Sequence, residues 1–317
     1  PSKSITHCEP SLSMSALIQP FLKRWAHEHR SRLEEYRLMG RAFLRDRLAV
    51  ASLVIILLFI FGAIFAPWLT PYPEQGRGEP NVLEQFQPPS WQHPLGTDNL
   101  GRDMLARVLF GGRTSLSIGF LVVIVAVAIG TPLGALAGYF GGWLDEAIMR
   151  LTDIFLAFPS LLLAIAIAAA LGPSFTNAMI AIALTWWPWY TRLVRAQTLS
   201  LRERPFVEAA RGMGVREGTI ILRHILPNAM TPVLVQATMD IGSAILTGAA
   251  MSFIGLGAQP PTPDWGQMVN LGRIYFISYP WLATFPGLAI FLVSLSFNLL
   301  GDSIRDIADP RTRRAAR

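Results

Sequence analysis

The chain has 317 residues, of which 52% are hydrophobic and 15% charged, with a formal net charge of +6 at pH 7. Soluble domains carry about 25% charged residues, whereas the apolar residues of this chain form long blocks without any Asp, Glu, Lys or Arg. Several blocks exceed the roughly 20 residues that a helix needs to cross the hydrocarbon core of a bilayer. This composition excludes a water-soluble enzyme and a disordered chain, and it predicts an all-α, polytopic membrane protein. The single cysteine, Cys8, permits no disulfide within the chain.

The apolar blocks predict six transmembrane helices. The first block is longer than the apolar core of a secretory signal and lies farther from the N-terminus, so we expect a retained span. The charge-free stretch from Ile154 to Thr191 is too long for one helix, and Gly172 and Pro173 divide it with a turn signal. The predicted helices are 48–69, 115–139, 147–171, 176–193, 229–255 and 281–301.

The placement of basic residues predicts the orientation, because Lys and Arg are in excess on the cytoplasmic side of a membrane. We therefore expect both termini and the loop between the fourth and fifth helices to be cytoplasmic. This placement explains the positive charge without a nucleic-acid partner. Of the 27 Lys and Arg residues, only the following lie on the predicted outer side: Arg77, Arg102, Arg107, Arg113 and Arg273.

The segments outside the apolar blocks complete the predicted organisation. Within the cytoplasmic N-terminal segment, apolar and charged residues over 19–45 recur at helical spacing, which predicts an amphipathic helix on the inner leaflet. The external segment 70–112 is rich in Pro and Gly and is expected to be a compact cap. The predicted parts are an N-terminal segment 1–47, a first transmembrane helix 48–69, an external segment 70–112, a five-helix core 113–303 with a cytoplasmic loop 202–228, and a cytoplasmic tail 304–317.

The chain lacks the residue patterns of catalysis or nucleotide binding. Its five histidines are scattered, and no His-Glu-x-x-His pair is present to bind zinc. Its two lysines, Lys3 and Lys23, lie outside any G-x-x-x-x-G-K-[ST] loop, the motif that holds the phosphates of ATP. We expect no catalytic residue, no metal and no cofactor on this chain. If ATP drives its function, ATP and Mg²⁺ must bind a separate polypeptide.

The most informative segment is the cytoplasmic loop 202–228. Pro205 suits the first turn of a helix, and good helix formers follow it. Gly212 and Gly214 are expected to end that helix. A second short helix is expected over 216–225.

The two short helices predict a compact knob on the inner face, with the second helix ending at Pro227. The small residues Ala209 and Ala210 would let a partner surface approach closely. Glu208 and Arg211 would offer it polar contacts. An ordinary amphipathic loop between spans is the alternative interpretation.

This loop resembles the EAA loop of permease subunits of bacterial ATP-binding-cassette (ABC) importers. The family pattern is E-A-A, three residues, G, nine residues and I-x-L-P, and it is matched at Glu208–Ala210, Gly214, Leu226 and Pro227. His224 stands where the family usually has Ile. The resemblance implies the type I ABC importer permease fold and a loop that seats in a groove of a cytoplasmic ATPase. The implied coupling residues are Glu208, Ala209, Ala210, Arg211, Gly214, Leu226 and Pro227.

Three further segments, 96–103, 253–266 and 298–310, look like the "C" subunit of the dipeptide/oligopeptide/nickel permease group. The resemblance covers about residues 44–311. It implies a second permease subunit in a heterodimer, one or two cytoplasmic ATPase subunits, an extracytoplasmic substrate-binding protein and a location in the bacterial inner membrane. For the two external motifs it implies structural or docking roles.

Asp240 needs an explanation because it lies near the middle of the fifth predicted span, where a carboxylate costs at least about 2.5 kcal/mol unless it faces protein or water. It is either a residue of the translocation path, meeting a peptide amine, or a group that is hydrogen-bonded between helices or neutralised. Asp153 is expected to pair with Arg150 or lie at the membrane interface. The aromatic cluster 186–190 is expected to be an anchor and packing wedge rather than a substrate-stacking surface.

These features predict a permease subunit that forms, with a partner permease, the path for di- and oligopeptides in an ATP-driven importer. Nickel complexes, glutathione and antimicrobial peptides are alternative cargoes. An ion-coupled secondary transporter is a different class of protein, which would be expected to carry several intramembrane charges and often paired repeats. A membrane-embedded enzyme is disfavoured because no nucleophile–base pair or metal set is apparent.

Overall fold

A computed structural model describes residues 40–308. These residues are helices and connecting segments without a strand, apart from an isolated bridge between Thr97 and Asp103. Residues 40–46, which are helical over 40–45, belong to a unit separate from the rest of the chain. Most of the predicted amphipathic helix over 19–45 and most of the predicted tail lie outside the described residues, so both remain predictions.

The helices are numbered along the chain from the start of the larger unit. They are α1 (Arg47–Ile64), α2 (Ala66–Leu69), α3 (Pro73–Arg77), α4 (Met104–Phe140), α5 (Gly142–Leu156), α6 (Ser160–Leu171), α7 (Phe175–Arg202), α8 (Pro205–Gly212), α9 (Glu217–Ile220), α10 (Leu226–Phe253), α11 (Trp265–Arg273) and α12 (Trp281–Ala308). A 3₁₀ turn covers Val82–Glu84, and a π-helical turn covers Ile221–Ile225.

The long helices account for most of the predicted spans. Among the described residues, α1, α4, the continuous stretch from α9 to α10, and α12 are long and apolar enough to cross a membrane, and α5 with α6 makes a fifth span if this bent pair is counted as one. Helix α7 does not reach that standard, because its middle carries tryptophans and Pro188 and its C-terminal end carries arginines. The described chain therefore confirms an all-helical protein with four or five apolar spans.

The third predicted span is not one straight helix. Its two halves, α5 and α6, meet at an angle of 86°. Pro159 has no N–H and disfavours helical geometry at the residue before it, so the chain leaves the helix after Leu156 and starts again at Ser160. The prediction of a continuous helix over 147–171 is wrong for this reason.

Two helix boundaries also differ from the predictions. Helix α4 begins at Met104 rather than Ser115. Its first turns are therefore formed by the last residues of the segment that was predicted as an external loop. The first span ends at Ile64, and the short α2 follows with Pro67 in its first turn.

The second short helix of the segment 202–228 was predicted to end at Pro227, and this prediction is wrong. The helical path continues from Glu217 to Phe253 through the π-helical turn, and Pro227 lies in the first turn of α10. A π turn bonds residues five apart and widens the backbone. It therefore gives room to a proline, which donates no hydrogen bond and would clash with the carbonyl four residues earlier.

The close approach of α4 and α7 centres the bundle. A Cβ added at Gly130 would lie 2.6 Å from the carbonyl oxygen of Trp187, and one at Gly138 would lie 2.8 Å from that of Arg195. Together with Gly134, these glycines repeat every four residues on one face of α4, the pattern that lets membrane helices pack backbone to backbone. This contact places the aromatic and arginine residues of α7 against the C-terminal half of α4.

Residues 70–103, which precede α4, are packed against residues that precede and begin α12, whereas residues 104–112 of the predicted cap belong to α4. Phe86 stacks on Tyr279 with ring centroids 4.3 Å apart, and Trp281 donates a 3.2 Å hydrogen bond to the carbonyl oxygen of Thr97. The segment before α4 is therefore bound to the segment between α11 and α12.

Candidate functional site

Residues 202–228, called the coupling segment below after the role predicted from the sequence, begin with a well-defined helix. Pro205 is the first residue of α8, where its missing N–H would have had no helical partner. Gly214 follows α8 with φ of +76°, and the N–H groups of Val215 and Gly214 donate to the carbonyl oxygens of Ala210 and Arg211 at 3.1 and 3.0 Å. These two bonds form a Schellman motif, which requires the left-handed conformation that glycine adopts most readily. The chain reversal predicted at Gly214 is confirmed.

The coupling segment has one side buried in this chain and one side exposed. Val207 is fully buried and Ala210 is 3% exposed, and both belong to the same apolar cluster as Val194 of α7. Glu208 and Ala209 are exposed. Of the two alanines predicted to meet a partner, only Ala209 is therefore accessible to one.

The exposed side of the coupling segment also carries large apolar groups. Phe206 is 43% exposed and Met213 is 76% exposed. Leu226 packs partly buried against the apolar cluster, whereas Pro227 is exposed. The exposed surface thus combines apolar side chains with Glu208 and flanking arginines.

Two arginines attach the coupling segment to the C-terminal end of α4. Arg202, the last residue of α7, donates from Nη1 to the carbonyl oxygens of Gly138 and Tyr139 at 3.2 and 3.5 Å. Arg211, at the end of α8, lies with its guanidinium carbon 5.6 Å from the centre of the Tyr139 ring. A cation near the carbonyls that end a helix is favourable, and a guanidinium over an aromatic ring is attracted to it.

Asp240 is hydrogen-bonded through both carboxylate oxygens. The Tyr190 hydroxyl of α7 donates to Oδ2 at 2.7 Å, and the Gln236 amide donates to Oδ1 at 2.8 Å. The Asp240 side chain is half-buried. The contact with Tyr190 is the hydrogen bond between helices that a structural role requires. The carboxylate is only half-buried, which is compatible with a place on the translocation path.

The aromatic cluster of α7 is largely a packing element. Trp187 is 4% exposed and meets Phe155 edge to face at 5.4 Å, whereas Trp189 is 58% exposed. Sequence reasoning named this cluster without predicting that Tyr190 would bind Asp240. No local signal links two residues on different helices, so that contact was missed.

The ion pairs of α5 differ from the prediction. Asp153 accepts a 2.6 Å hydrogen bond from Arg192 of α7, and Arg150 pairs instead with Glu146 at 3.3 Å. On α5, Arg150 lies three residues from Asp153 and four from Glu146, so helical spacing allows either pair. Because α7 brings Arg192 close to Asp153, Arg150 is left to pair with Glu146.

The first of the three permease-like motifs, 96–103, is a buried hydrogen-bonding unit. Asp98 accepts from Nε of Arg102 at 2.7 Å and from the backbone N–H groups of Leu100 and Arg102. Asp103 caps the start of α4 by accepting from the N–H of Ala106 at 2.7 Å, and its other oxygen lies 2.9 Å from Nδ1 of His93. These contacts support the predicted structural role of this motif.

The second of these motifs, 253–266, is bound to α4. Asp264 caps α11 by accepting from the N–H of Gln267 at 3.1 Å, and its other oxygen accepts from the hydroxyl of Ser115 at 3.1 Å. Trp265 is fully buried and donates to the carbonyl oxygen of Val108 at 2.8 Å. Burial raises the pKa of Asp264 above the ordinary carboxyl value, although its hydrogen bonds oppose that shift.

The third motif, 298–310, makes a close contact between α12 and α10 next to Asp240. A Cβ added at Gly301 of α12 would lie 3.1 Å from the backbone nitrogen of Met239 on α10. Helices α10, α11 and α12 also line an open apolar groove of about 530 Å³. No cluster of three or more His, Cys, Asp or Glu side chains among residues 40–308 has the arrangement to hold a metal.

Comparison with known protein families identifies both parts of the chain. Residues 130–314 match the family described as binding-protein-dependent transport system inner membrane component. Residues 36–89 match the N-terminal TM domain of oligopeptide transport permease C.

Individual relatives extend over most of the chain. The dipeptide transport system permease protein DppC of Alkalihalophilus pseudofirmus is 49% identical over 85% of this chain and 88% of its own length. The glutathione transport system permease protein GsiD of Pectobacterium atrosepticum is 46% identical over 88% of this chain and 92% of its own length. Among solved structures, the inward-facing MetNI methionine ABC transporter resembles the fold with a TM-score of 0.52 and 21% identity, covering 65% of this chain and 98% of the compared chain.

Proposed function

Because the chain belongs to the family of binding-protein-dependent transport system inner membrane components, we propose that it is the C-type permease subunit of an ATP-driven importer of di- and oligopeptides. The observation that carries this proposal is the coupling segment. Its buried side joins the apolar cluster of the transmembrane helices, and its exposed side presents Phe206, Glu208, Ala209 and Met213 to the cytoplasm. Such a segment suits the transfer of movement from a separate motor to the spans.

The proposed motor is one or two cytoplasmic ATPase subunits that bind ATP and Mg²⁺. The exposed side of the coupling segment would seat in a groove of the ATPase. The implied contact residues are Glu208 and Ala209 directly, with Gly214 setting the chain reversal and Arg211, Leu226 and Pro227 supporting the shape. Closure of two ATPases would pull on two coupling segments, one from this chain and one from a partner permease, and open the path outward.

The proposed cargo is a short peptide delivered by an extracytoplasmic binding protein. The dipeptide and glutathione permeases named above are both relatives of this chain over nearly its full length, and glutathione is itself a tripeptide. A path that accepts a peptide backbone with charged ends would serve both. Glutathione and nickel complexes remain the alternative cargoes.

The proposed topology has six spans, with α7 as the fourth and the bent pair α5–α6 as the third. Helix α7 has an apolar outer half and its buried face packs against α4, so surrounding helices would shield its less apolar middle from lipid. Both termini and the coupling segment would then be cytoplasmic, and the cap formed by residues 70–103 and 254–280 would be external.

Asp240 is proposed to line the translocation path. Its half-buried carboxylate is oriented by Tyr190 and Gln236, and a carboxylate held in this way within a membrane commonly marks a substrate pathway. It would attract the amino group of a peptide.

Reconstitution tests the function. The chain would be purified with the partner permease, ATPases and binding protein encoded beside it and placed in liposomes containing ATP. We expect uptake of a labelled dipeptide that requires both ATP and the binding protein. Competition with glutathione and with a nickel complex ranks the cargoes. Uptake that needs an ion gradient but neither ATP nor the ATPases would contradict the proposal and support a secondary transporter.

A further inference from the structure

The inner end of α7 is bound to α5 by a two-pronged ion pair. Arg195 donates from Nε and Nη2 to the two carboxylate oxygens of Asp145 at 2.5 and 2.6 Å. The Arg195 side chain is 32% exposed and that of Asp145 is 17% exposed. Paired hydrogen bonds between a guanidinium and a carboxylate fix both distance and orientation.

The same end of α7 is bound to α4 two turns farther on, through Arg202. Arg202 donates to the carbonyl oxygens of Gly138 and Tyr139, next to the end of α4. Arg195 and Arg202 are seven residues apart, which is two turns of a helix, so both project from the same face of α7. They therefore hold the helix pair α4–α5 at two points.

The turn between α4 and α5 is short and made by glycine. Gly141 joins the two helices and Gly142 is the first residue of α5, with φ of +69° and +59°. A Cβ at Gly142 would meet no atom within 4 Å. The contacts of α5 with α7 therefore act together with this short turn to set the orientation of α5.

Helix α7 leads directly into the coupling segment. Only Glu203 and Arg204 separate its last residue from α8. A displacement of α8 is therefore applied to the inner end of α7, where Arg195 and Arg202 lie.

We propose that Arg195 and Arg202 are positioning residues that make α5 follow α7, so that movement of the coupling segment turns α5 about Gly141 and Gly142. This inference rests on the proposed function, because it assigns a route to the movement that an ATPase would impose. Helix α5 is the first half of the bent span, so the movement would reach the membrane through α5. The ion pair, rather than the glycine turn, carries the force.

The chain offers a matched control in the pair Arg150–Glu146. Both members lie on α5, and their side chains are 77% and 69% exposed. This pair joins no two helices, and exposed pairs of this kind contribute little to stability. Replacing Arg150 removes an arginine from α5 but leaves the ion pair between Arg195 and Asp145 intact.

The test uses the whole reconstituted complex and measures peptides imported per ATP hydrolysed. Arg195→Gln and Asp145→Asn are each expected to lower this ratio about tenfold, within the range of typical coupling between distant sites. The exchange Asp145→Arg with Arg195→Asp is expected to restore most of the ratio, and Arg150→Gln to leave it at the wild-type value. A merely structural role would reduce the amount of complex but not the ratio for the complex that remains.

The outcomes separate this inference from the proposed function. If the wild-type complex imports peptide with ATP and both single variants keep the wild-type ratio, the link is wrong while the function stands. A further outcome is that the single variants lose the ratio while the double exchange assembles but does not restore it. In that case the proposed role of the Arg195–Asp145 ion pair is also wrong. If the wild-type complex shows no ATP-dependent import, the proposed function itself fails.

Discussion

Tyr190 on α7 donates a 2.7 Å hydrogen bond to Asp240 on α10, so a carboxylate in the middle of one predicted span is held by a hydroxyl from another. The two residues are 50 positions apart in the chain. This contact is expected whether Asp240 joins two helices or lines the translocation path. A structural bridge needs only the hydrogen bond, whereas a path residue needs the charge.

Asp240→Asn separates these roles, because the amide keeps the size of the side chain and an acceptor for Tyr190 while it removes the charge. If Asp240 lines the path, uptake or cargo preference should change while assembly of the complex stays normal. Asp240→Leu should reduce transport more than yield. Uptake of dipeptide and assembly are measured on the same preparations.

Tyr190→Phe is the matched control for the hydrogen bond. It removes the hydroxyl but leaves the charge of Asp240. Interhelical hydrogen bonds in membranes contribute about 0.6 kcal/mol on average, so we expect a small loss of thermal stability. Normal transport by both Asp240 variants would remove this residue from the proposed path.

The second prediction concerns the turn at Gly214. A side chain there costs about 1–2 kcal/mol, because residues other than glycine disfavour the left-handed conformation. No atom lies within 4 Å of the position of an added Cβ, so the effect is backbone strain and not a clash. Gly214→Val should lose uptake, together with ATPase association or the stimulation of ATP hydrolysis by loaded binding protein.

Gly218→Ala is the control for Gly214→Val. Gly218 lies in the same segment, is exposed, has open space around it and lies in the short helix α9. An alanine there should preserve uptake. Full uptake by Gly214→Val would exclude this turn from coupling.

The third prediction compares adjacent alanines with opposite surroundings. Ala210 is 3% exposed inside the apolar cluster, and Ala209 is exposed. Ala210→Asp should destabilise the permease itself, since it buries an unpaired charge. Ala209→Asp should leave the permease stable and weaken only its association with the ATPase.

The measurement is made with and without the ATPases. Thermal stability of the permease pair alone should fall for Ala210→Asp and stay unchanged for Ala209→Asp. Co-purification with the ATPase should then fall for Ala209→Asp. The reverse pattern would show that the exposed side is not the ATPase-binding surface.

The fourth prediction concerns the cap residue Asp264. Asp264→Ala removes the acceptor for the N–H of Gln267 and for the hydroxyl of Ser115, and leaves buried donors without partners. The expected cost is about 1–3 kcal/mol, measured as a lower unfolding temperature. Asp264→Asn keeps an acceptor and should cost less.

The raised pKa of Asp264 gives this residue a defined pH dependence. Because burial raises its pKa in the folded state, the folded protein binds the proton more tightly than the unfolded chain does. Its contribution favours folding at acidic pH and is lost as the pH rises from the ordinary carboxyl pKa through the raised value. Asp264→Asn should flatten the pH dependence of stability in that window, and an unchanged profile would contradict the shift.

The fifth prediction concerns topology. In a Cys8→Ser background, Trp91→Cys and Glu217→Cys place single thiols at exposed positions, of which Trp91 is fully exposed. A membrane-impermeant thiol reagent added to intact cells with a permeable outer envelope should label only Trp91→Cys. Glu217→Cys should react after the inner membrane is opened. Labelling of Glu217→Cys in intact cells would refute the proposed orientation.

The sequence by itself determined the features that depend on neighbouring residues. Apolar blocks predicted the long helices, Pro205 and Gly214 predicted where α8 begins and where the chain reverses, and the E-A-A pattern predicted the family. These signals are readable because helix length, turn geometry and the missing N–H of proline act over a few residues. The bend at Pro159 carried such a signal too, although a continuous helix was predicted.

Only the tertiary structure decided which residues meet across the chain. It turned Ala210 inward and Ala209 outward, paired Asp153 with Arg192 instead of Arg150, and joined Ser115 to Asp264. Each of these outcomes depends on the angle and rotation at which two helices pack, and no local pattern determines that geometry. The partners of Asp240 and the link between Arg195 and Asp145 became visible only when the distance between helices was known.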